Sequence, residues 1–500
     1  MSSKDYDVII IGSGFGGSAS AFKLAKAGKS VLIIERGKAI NRDDDDWNPE
    51  KILIKKKYQG PEPVFVKQYN QKKYEPVFDN EVIGGASVFY GGASLRLREK
   101  DFKNWPFKYE DFEPYYTEAE SLLEVHGDGT KDVFDPKRSQ PYPFSPIELT
   151  TPSKRIYKAA KKLNLSPFPI PLALNFKNKE RNLCQQCNTC DGFPCKVNAK
   201  NDVTQNLLAQ SLNSGAEILS EHLASKLNVK NGKIESVTAI HTISKDKLTL
   251  KAKLFILSAG TLQSPALLLR SGISDFDKSG LIGKNLMRHC NAVVSMVFPF
   301  KTNPDKNFHK QLCFTDFYED AREKYGTAVG VIQDIYTPDP KVIKAFAPFG
   351  LKNIASHISQ YLQNLLCIAE DEPQESNKVS LSEEVDQFGL QKILVQHQYS
   401  ENDYLRRDLL IKNSKKILKK AGGIKTQIYK IDSFSHALGT LRFGIDPSTS
   451  VLNKNCKLHN IENLYVLDGS FMPTSGGVNP SLTITANALR VADNLVNEVL

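Results

Sequence analysis

Four consecutive apolar residues, Val8 to Ile11, open the first patterned segment of the chain. A run this short, with no polar alternation, predicts a strand buried on both faces, as in a parallel sheet. A helical pattern follows as far as Ala27, and a second short run, Ser30 to Ile34, predicts a second strand. "LFILSAG" (Leu254 to Gly260) repeats the buried-strand pattern and passes through a turn into the helix "TLQSPALLLRSGI". Upstream of it, "GAEILSEHLASKLNVKNGKIESVTAIHT" predicts alternating strands with a hairpin turn at Asn231-Gly232. Together these segments predict the return of the chain to the first sheet. Between Ser274 and Ile431 the signals are mixed, with strands such as "NAVVSMVF" and helices such as "YLRRDLLIKNSKKILKKAGG". The last two elements are a strand, "NLYVLDGS", and a helix from near Ser481 to about Val499, with Pro480 in its first turn.

Length and composition add bounds to this pattern. A chain of 500 residues, 40% hydrophobic and 24% charged, suits two or three domain-sized units or one large enzyme with interleaved domains. No apolar run is long enough to cross a bilayer, and "MSSKDYDVII" has no apolar stretch of signal-peptide length before the first strand. A cytoplasmic location is expected. The net charge of +10 is spread out, apart from clusters such as "KILIKKKYQG" and "KNSKKILKK". No nucleic-acid motif accompanies them, so they read as solvated faces and not as a nucleic-acid site.

The chemistry begins at the first turn. Gly12-x-Gly14-x-x-Gly17 lies between the first strand and the first helix, and Glu35 closes the second strand 18 residues after Gly17. Gly12 permits the tight turn, Gly14 lets backbone approach a pyrophosphate, and Gly17 lets helix and strand pack closely. The helix N-terminus offers N–H groups and a positive dipole end to phosphates. Glu35 is placed to accept from a ribose hydroxyl, which favours FAD or NAD over NADP. A second glycine-rich stretch, "GGASVFYGGASLRLREKDF" from Gly84 to Phe102, would let backbone lie against a flat ring or a pyrophosphate. At the other end of the chain, "TSGGVNPSLTITANALRVADNL" opens the last helix, and Asp468 ends the last strand where ligands of open α/β sheets sit. The first helix opening would serve the phosphates. The last would stabilise negative charge on a reduced flavin ring.

These anchors, with "LIGKNLMRH" and "HALGTLRFGIDP", resemble the glucose-methanol-choline (GMC) oxidoreductase family along nearly the whole chain. The resemblance implies an α/β fold: a Rossmann-like FAD-binding domain of discontinuous segments and an α+β substrate domain on a six-stranded antiparallel sheet. The expected division is FAD domain at 1–100, 201–290 and 433–500, a lid or substrate segment with a cysteine-rich loop at 101–200, and a substrate domain at 291–432. It implies cofactor contacts from Gly12, Gly14, Phe15, Gly17, Glu35 and Arg36, and from Gly84, Gly85, Ser87, Gly91 and Gly92. Ala259, Gly260, Asp468, Gly469, Asn479, Pro480, Ser481 and Leu482 complete the set. The family's His/Asn pair falls on His436 and Asn479, while His289 and His459 read as structural. A neutral imidazole suits removal of an alcohol's hydroxyl proton; Asn479 can bond the same oxygen, and FAD supplies the hydride acceptor. Some relatives tether FAD through a His in the second glycine-rich stretch. None stands there, so noncovalent FAD is expected.

The substrate reads as a small-molecule alcohol, a sugar, polyol or glycoside, with a sterol or other hydrophobic alcohol as the alternative. A lyase of the same family with a non-redox flavin is a further reading. The electron acceptor stays open between oxygen, a quinone and a redox protein. Four of the eight cysteines, Cys184, Cys187, Cys190 and Cys195, fall within twelve residues. The first three have ferredoxin spacing, but the last gap is one residue longer than in the bacterial run. An Fe–S cluster, zinc and free thiols all remain open for them.

Overall fold

Burial on both faces puts the strand Tyr6–Ile11 at the centre of a five-stranded sheet, with Val8, Ile9 and Ile10 fully buried. In the computed structural model, which describes residues 5–68, 71–187, 189–320, 322–326 and 328–500, the sheet runs Leu464–Val466, Ala252–Leu257, Tyr6–Ile11, Val31–Ile34, Glu217–Leu219. All its pairs are parallel. The helix Phe15–Lys26 crosses between the central strand and Val31–Ile34 and packs against the C-terminal helix Ser481–Asn494. Glycines permit that closeness. A Cβ on Gly16 would lie 1.4 Å from the Leu467 carbonyl oxygen, and one on Gly17 2.0 Å from that of Gly12.

One expectation changes here. The hairpin His222–Lys230 and Lys233–His241, turned through Asn231 (φ 50°) and Gly232 (φ 74°), does form. It does not rejoin the parallel sheet but makes a separate three-stranded sheet with Lys247–Leu250. The reason is its alternation: Leu227 and Val237 are buried while Lys226 and Glu235 are exposed, so the strands have only one face to bury. Only Glu217–Leu219 and Ala252–Leu257 from this region enter the parallel sheet.

A six-stranded sheet runs Lys425–Lys430, Ala292–Val297, Leu362–Ala369, Gly330–Ile335, Leu312–Phe314, Phe168–Pro169, with every pair antiparallel. On one face Val294, Leu365, Ile332 and Phe314 pack in one cluster with Leu410, Ile417 and Leu418 of the helix Glu401–Lys420. That helix starts on a capping box, with Asp403 N donating to Ser400 Oγ (3.1 Å) and Ser400 N to Asp403 Oδ2 (2.7 Å). The register aligns Tyr429, Val293, Leu366, Gln333, Cys313 and Phe168 in one row on the opposite face. A four-stranded sheet, including Gln391–His397 and Val64–Gln68, completes the molecule. Among the described residues no helix is long and apolar enough to cross a membrane.

Candidate active site

Strand order reverses beside the central strand: Val31–Ile34 lies on one side and Ala252–Leu257 on the other. In such sheets ligands bind in the crevice beyond the carboxyl ends at that point. Gly12 (φ +100°) turns the chain there against Ser258, whose N–H donates to Ile11 O at 2.7 Å. A Cβ on Gly12 would stand 2.3 Å from the Ser258 carbonyl oxygen, whereas one on Gly14 or Gly260 would meet nothing within 4 Å. Gly12, Gly16 and Gly17 are therefore used for packing, while Gly14 and Gly260 border open space.

Ser13 gathers the sequence-predicted residues around this crevice. Its N–H and hydroxyl donate to Glu35 Oε2 at 3.0 and 2.6 Å, and Gly84 N donates to Ser13 Oγ at 2.8 Å. Gly37 N donates to Glu35 Oε1 at 2.8 Å, so the carboxylate is held in place at the end of the second strand. Arg36 pairs with Glu81 at 3.2 Å. Ser87 Oγ closes the Gly84 turn at 2.7 Å, and Phe15 meets the Tyr90 ring edge-on at 5.1 Å. On the far side Asp468 Oδ2 accepts from Gly260 N at 2.9 Å, linking the last strand to the Ala259-Gly260 turn. Burial raises the Asp468 pKa, against the pull of its hydroxyl and N–H donors. Gly469 is enclosed by Leu438, Ala437 and Thr261. Gly91 does not face open space: the Asp191–Lys310 ion pair stands over it, and Gly92 O accepts from Ala173 N at 2.8 Å.

Of the two candidate catalytic residues, Asn479 lies in the loop that opens the C-terminal helix and His436 is tied to that loop through His289. Asn479, partly exposed, lies one residue before Pro480, the N-cap of a helix that begins at Ser481 with Leu482 buried. Its Oδ1 accepts from Gln333 Nε2 at 2.7 Å. Gln333 is fully buried, and its own Oε1 has no protein partner among the described residues. His436 is partly exposed, and its Nδ1 lies 2.9 Å from Nδ1 of His289. His289 Nε2 in turn meets the carbonyl oxygens of Ser475 (3.1 Å) and Gly476 (2.7 Å), in the loop that ends at Asn479. Desolvation, then the neighbouring His289 and Lys310, pulls the His436 pKa down to about 3, so the ring is neutral near pH 7.

A glycine-lined crevice at the strand-order reversal, a carboxylate on its rim and a neutral histidine and an asparagine on the C-terminal loop system all lie on one chain. Residues 6–291 match the N-terminal part of GMC oxidoreductase and residues 373–488 its C-terminal part. The chain belongs to the GMC oxidoreductase family. Its curated GMC relatives include paromamine 6'-oxidase of Streptomyces fradiae, 29% identical over 99% of this chain and 92% of that protein. The fructose dehydrogenase large subunit of Gluconobacter japonicus is 27% identical over 99% and 98%. Pyridoxine 4-oxidase from Mesorbium loti superposes with a TM-score of 0.70 at 18% identity, covering 98% of this chain and 99% of that one.

The GMC assignment implies FAD, and the residues present fit it. Gly14 leaves room at the first helix N-terminus for a pyrophosphate, and Glu35 keeps acceptor capacity for a ribose.

The cysteine-rich loop packs beside this region. Lys200, almost fully buried, donates to the carbonyls of Val88 (3.1 Å), Cys190 (2.9 Å) and Phe193 (2.6 Å), tying the loop to the second glycine-rich stretch. Burial lowers the Lys200 pKa and raises those of Cys184, to about 12, and Cys190. Among the described residues no group of three or more His, Cys, Asp or Glu is arranged to hold a metal ion.

Two polar residues of this site were given no catalytic role in the sequence. Gln333 lies in an ordinary strand and is brought to Asn479 only by sheet register. His289 read as structural, and only a non-local pairing sets it against His436. Its one sequence signal is its place at the end of "LIGKNLMRH".

Proposed function

We propose that this chain oxidises a CH–OH group of a sugar, polyol or glycoside to a carbonyl, with His436 as the base and Asn479 as the orienting residue. The observation that supports this best is a geometric one: His436 is joined through His289 to the loop that also carries Asn479, whose amide is held by Gln333. The substrate's O–H bond breaks and its proton passes to His436. Asn479, its Oδ1 occupied by Gln333, turns its Nδ2 donors to the substrate oxygen and so orients the carbinol. FAD, when bound, supplies the acceptor for the carbinol hydrogen as hydride. Glu35 and the first helix N-terminus hold the nucleotide end, and the start of the C-terminal helix offers its dipole to negative charge. Relatives named for paromamine and fructose support a polyhydroxylated substrate.

FAD is held noncovalently in this reading. The FAD domain comprises 1–100, 201–290 and 433–500, the substrate domain 291–432, and the segment 101–200 bridges them. Sheet membership supports that division, because the parallel sheet draws its strands from the first set and the six-stranded sheet mainly from 291–432. Eight free thiols among the described residues favour a reducing, cytoplasmic setting.

The test is an anaerobic visible spectrum of the purified protein before and after sugars, polyols and sterols. Bleaching of the flavin bands by sugars or polyols is expected. Bleaching by sterols alone reassigns the substrate, and flavin that no alcohol bleaches removes the redox reading. After acid precipitation the flavin should remain in the supernatant; flavin on the pellet contradicts noncovalent binding.

A further inference from the structure

We infer that His289 is a positioning residue that sets the tautomer of His436, leaving Nε2 of His436 bare to take the substrate proton. The inference rests on His436 being the base.

It begins with backbone pairing. Met287 N donates to Leu438 O at 3.0 Å and Leu438 N to Met287 O at 2.8 Å, an isolated antiparallel bridge. Two residues further on one strand and two back on the other, side chains of such a pair share a face. Those positions are His289 and His436, and their rings meet edge-to-face with centroids 5.0 Å apart.

Proton counting does the rest. Carbonyl oxygens only accept, so His289 Nε2, at 2.7 and 3.1 Å from two of them, must carry the hydrogen. A neutral imidazole has a single N–H, so His289 Nδ1 presents a lone pair. Burial leaves the His289 pKa below its usual value, against the upward pull of Asp371 and of the Gly476 and Ser475 carbonyls, so the neutral form is the one present near pH 7. The 2.9 Å contact between the two Nδ1 atoms then needs a hydrogen from His436. His436 is thereby the Nδ1–H tautomer, and its Nε2, without a protein partner among the described residues, is the free lone pair.

His289 is held firmly enough to impose this choice. It is 1% exposed, its N–H donates to Asp371 Oδ1 at 3.0 Å, and its carbonyl accepts from Tyr399 OH at 2.7 Å. Its φ of +61° is one that few non-glycine residues adopt, and these bonds hold it there. In the reaction the substrate O–H bond breaks and the proton bonds to His436 Nε2. The hydrogen on Nδ1 stays where it is, so no proton passes to His289. The imidazolium that forms is favoured by the buried Asp371 carboxylate and opposed by Lys310; Asp371 itself lies 3.7 Å from His397 Nε2.

The test is nitrogen-15 NMR of the histidine-labelled holoenzyme near pH 7.5, with His436 assigned by its loss in His436→Gln, beside steady-state kinetics. Wild type should show His436 protonated on Nδ1 and bare at Nε2. His289→Asn keeps an acceptor where Nδ1 stood, whereas His289→Gln keeps a donor to the two carbonyls and loses that acceptor. His289→Gln should lower kcat by about 10²-fold with FAD content and KM little changed, and His436 should shift towards Nε2–H. His289→Asn should retain the tautomer and most of kcat. A merely structural His289 gives the two variants equal losses, or the larger loss to Asn, and overturns the inference. So does wild-type His436 protonated on Nε2. An inert His436→Ala alongside such a result leaves the base assignment standing. An active His436→Ala removes the base assignment, whatever the tautomer.

Discussion

His436 and Asn479 are ordinary polar residues whose function depends on what touches them. Desolvation keeps His436 neutral, and the Gln333 bond fixes one end of the Asn479 amide. His436→Ala should keep its flavin and lose flavin reduction by alcohol by about 10²-fold to 10⁴-fold, read by anaerobic stopped flow. Retention of the wild-type rate would reject His436 as the base. Gln333→Leu should lower kcat/KM by about 10-fold, since a freed amide no longer orients the substrate oxygen. An unchanged kcat/KM would show that Asn479 needs no such support. Gln333 itself could not be picked out in the sequence, because one glutamine in an apolar strand has no local mark.

At the scale of elements, the strand–turn–helix around Gly12 to Gly17 was legible because each glycine has a separate physical reason. The structure divides those reasons further. A side chain on Gly14 enters open space, while one on Gly17 meets the Gly12 carbonyl at 2.0 Å. Gly14→Val should therefore fold with thermal stability close to wild type as apoprotein and bind FAD at least about 10-fold more weakly. Gly17→Ala should instead destabilise the fold by about 1–3 kcal/mol, since backbone must shift to admit the methyl. Equal loss of stability in the two would place Gly14 in the packing and not at the cofactor. The hairpin at Asn231-Gly232 was legible for the same local reason, but its sheet was not. Alternation tells that a strand has one buried face, not which layer covers it.

For the molecule as a whole, buried titrating groups set the pH range of stability. Burial lowers the pKa of His436 to about 3 and of His309 to about 4, and lowers those of His289 and His397. A depressed folded pKa gives stability that is present above the unfolded value near 6.5 and lost as pH falls through the folded value. Denaturant midpoints should thus fall from about pH 6.5 towards pH 3–4, and a flat profile there would contradict buried neutral histidines. Glu370 acts in the opposite sense. Burial, then Asp101, raises its pKa above the usual carboxylate range. Its stabilisation is full below the unfolded value and is lost as pH rises through the folded one. Glu370→Gln should flatten the decline between about pH 4.5 and pH 8 by about 1 kcal/mol or more, and an unaltered slope would assign that decline to other groups.

Local chemistry was enough to determine the dinucleotide turn, the buried parallel strands, the C-terminal helix opening and the family, because glycine spacing and apolar runs act over a few residues. Only the tertiary structure decided which residues meet across the chain. Met287 pairs with Leu438 and thereby sets His289 against His436; sheet register brings Gln333 to Asn479; Lys200 seats the cysteine loop on the second glycine-rich stretch. Each such meeting depends on packing and hydrogen bonds between segments far apart in sequence, and no short window contains both partners.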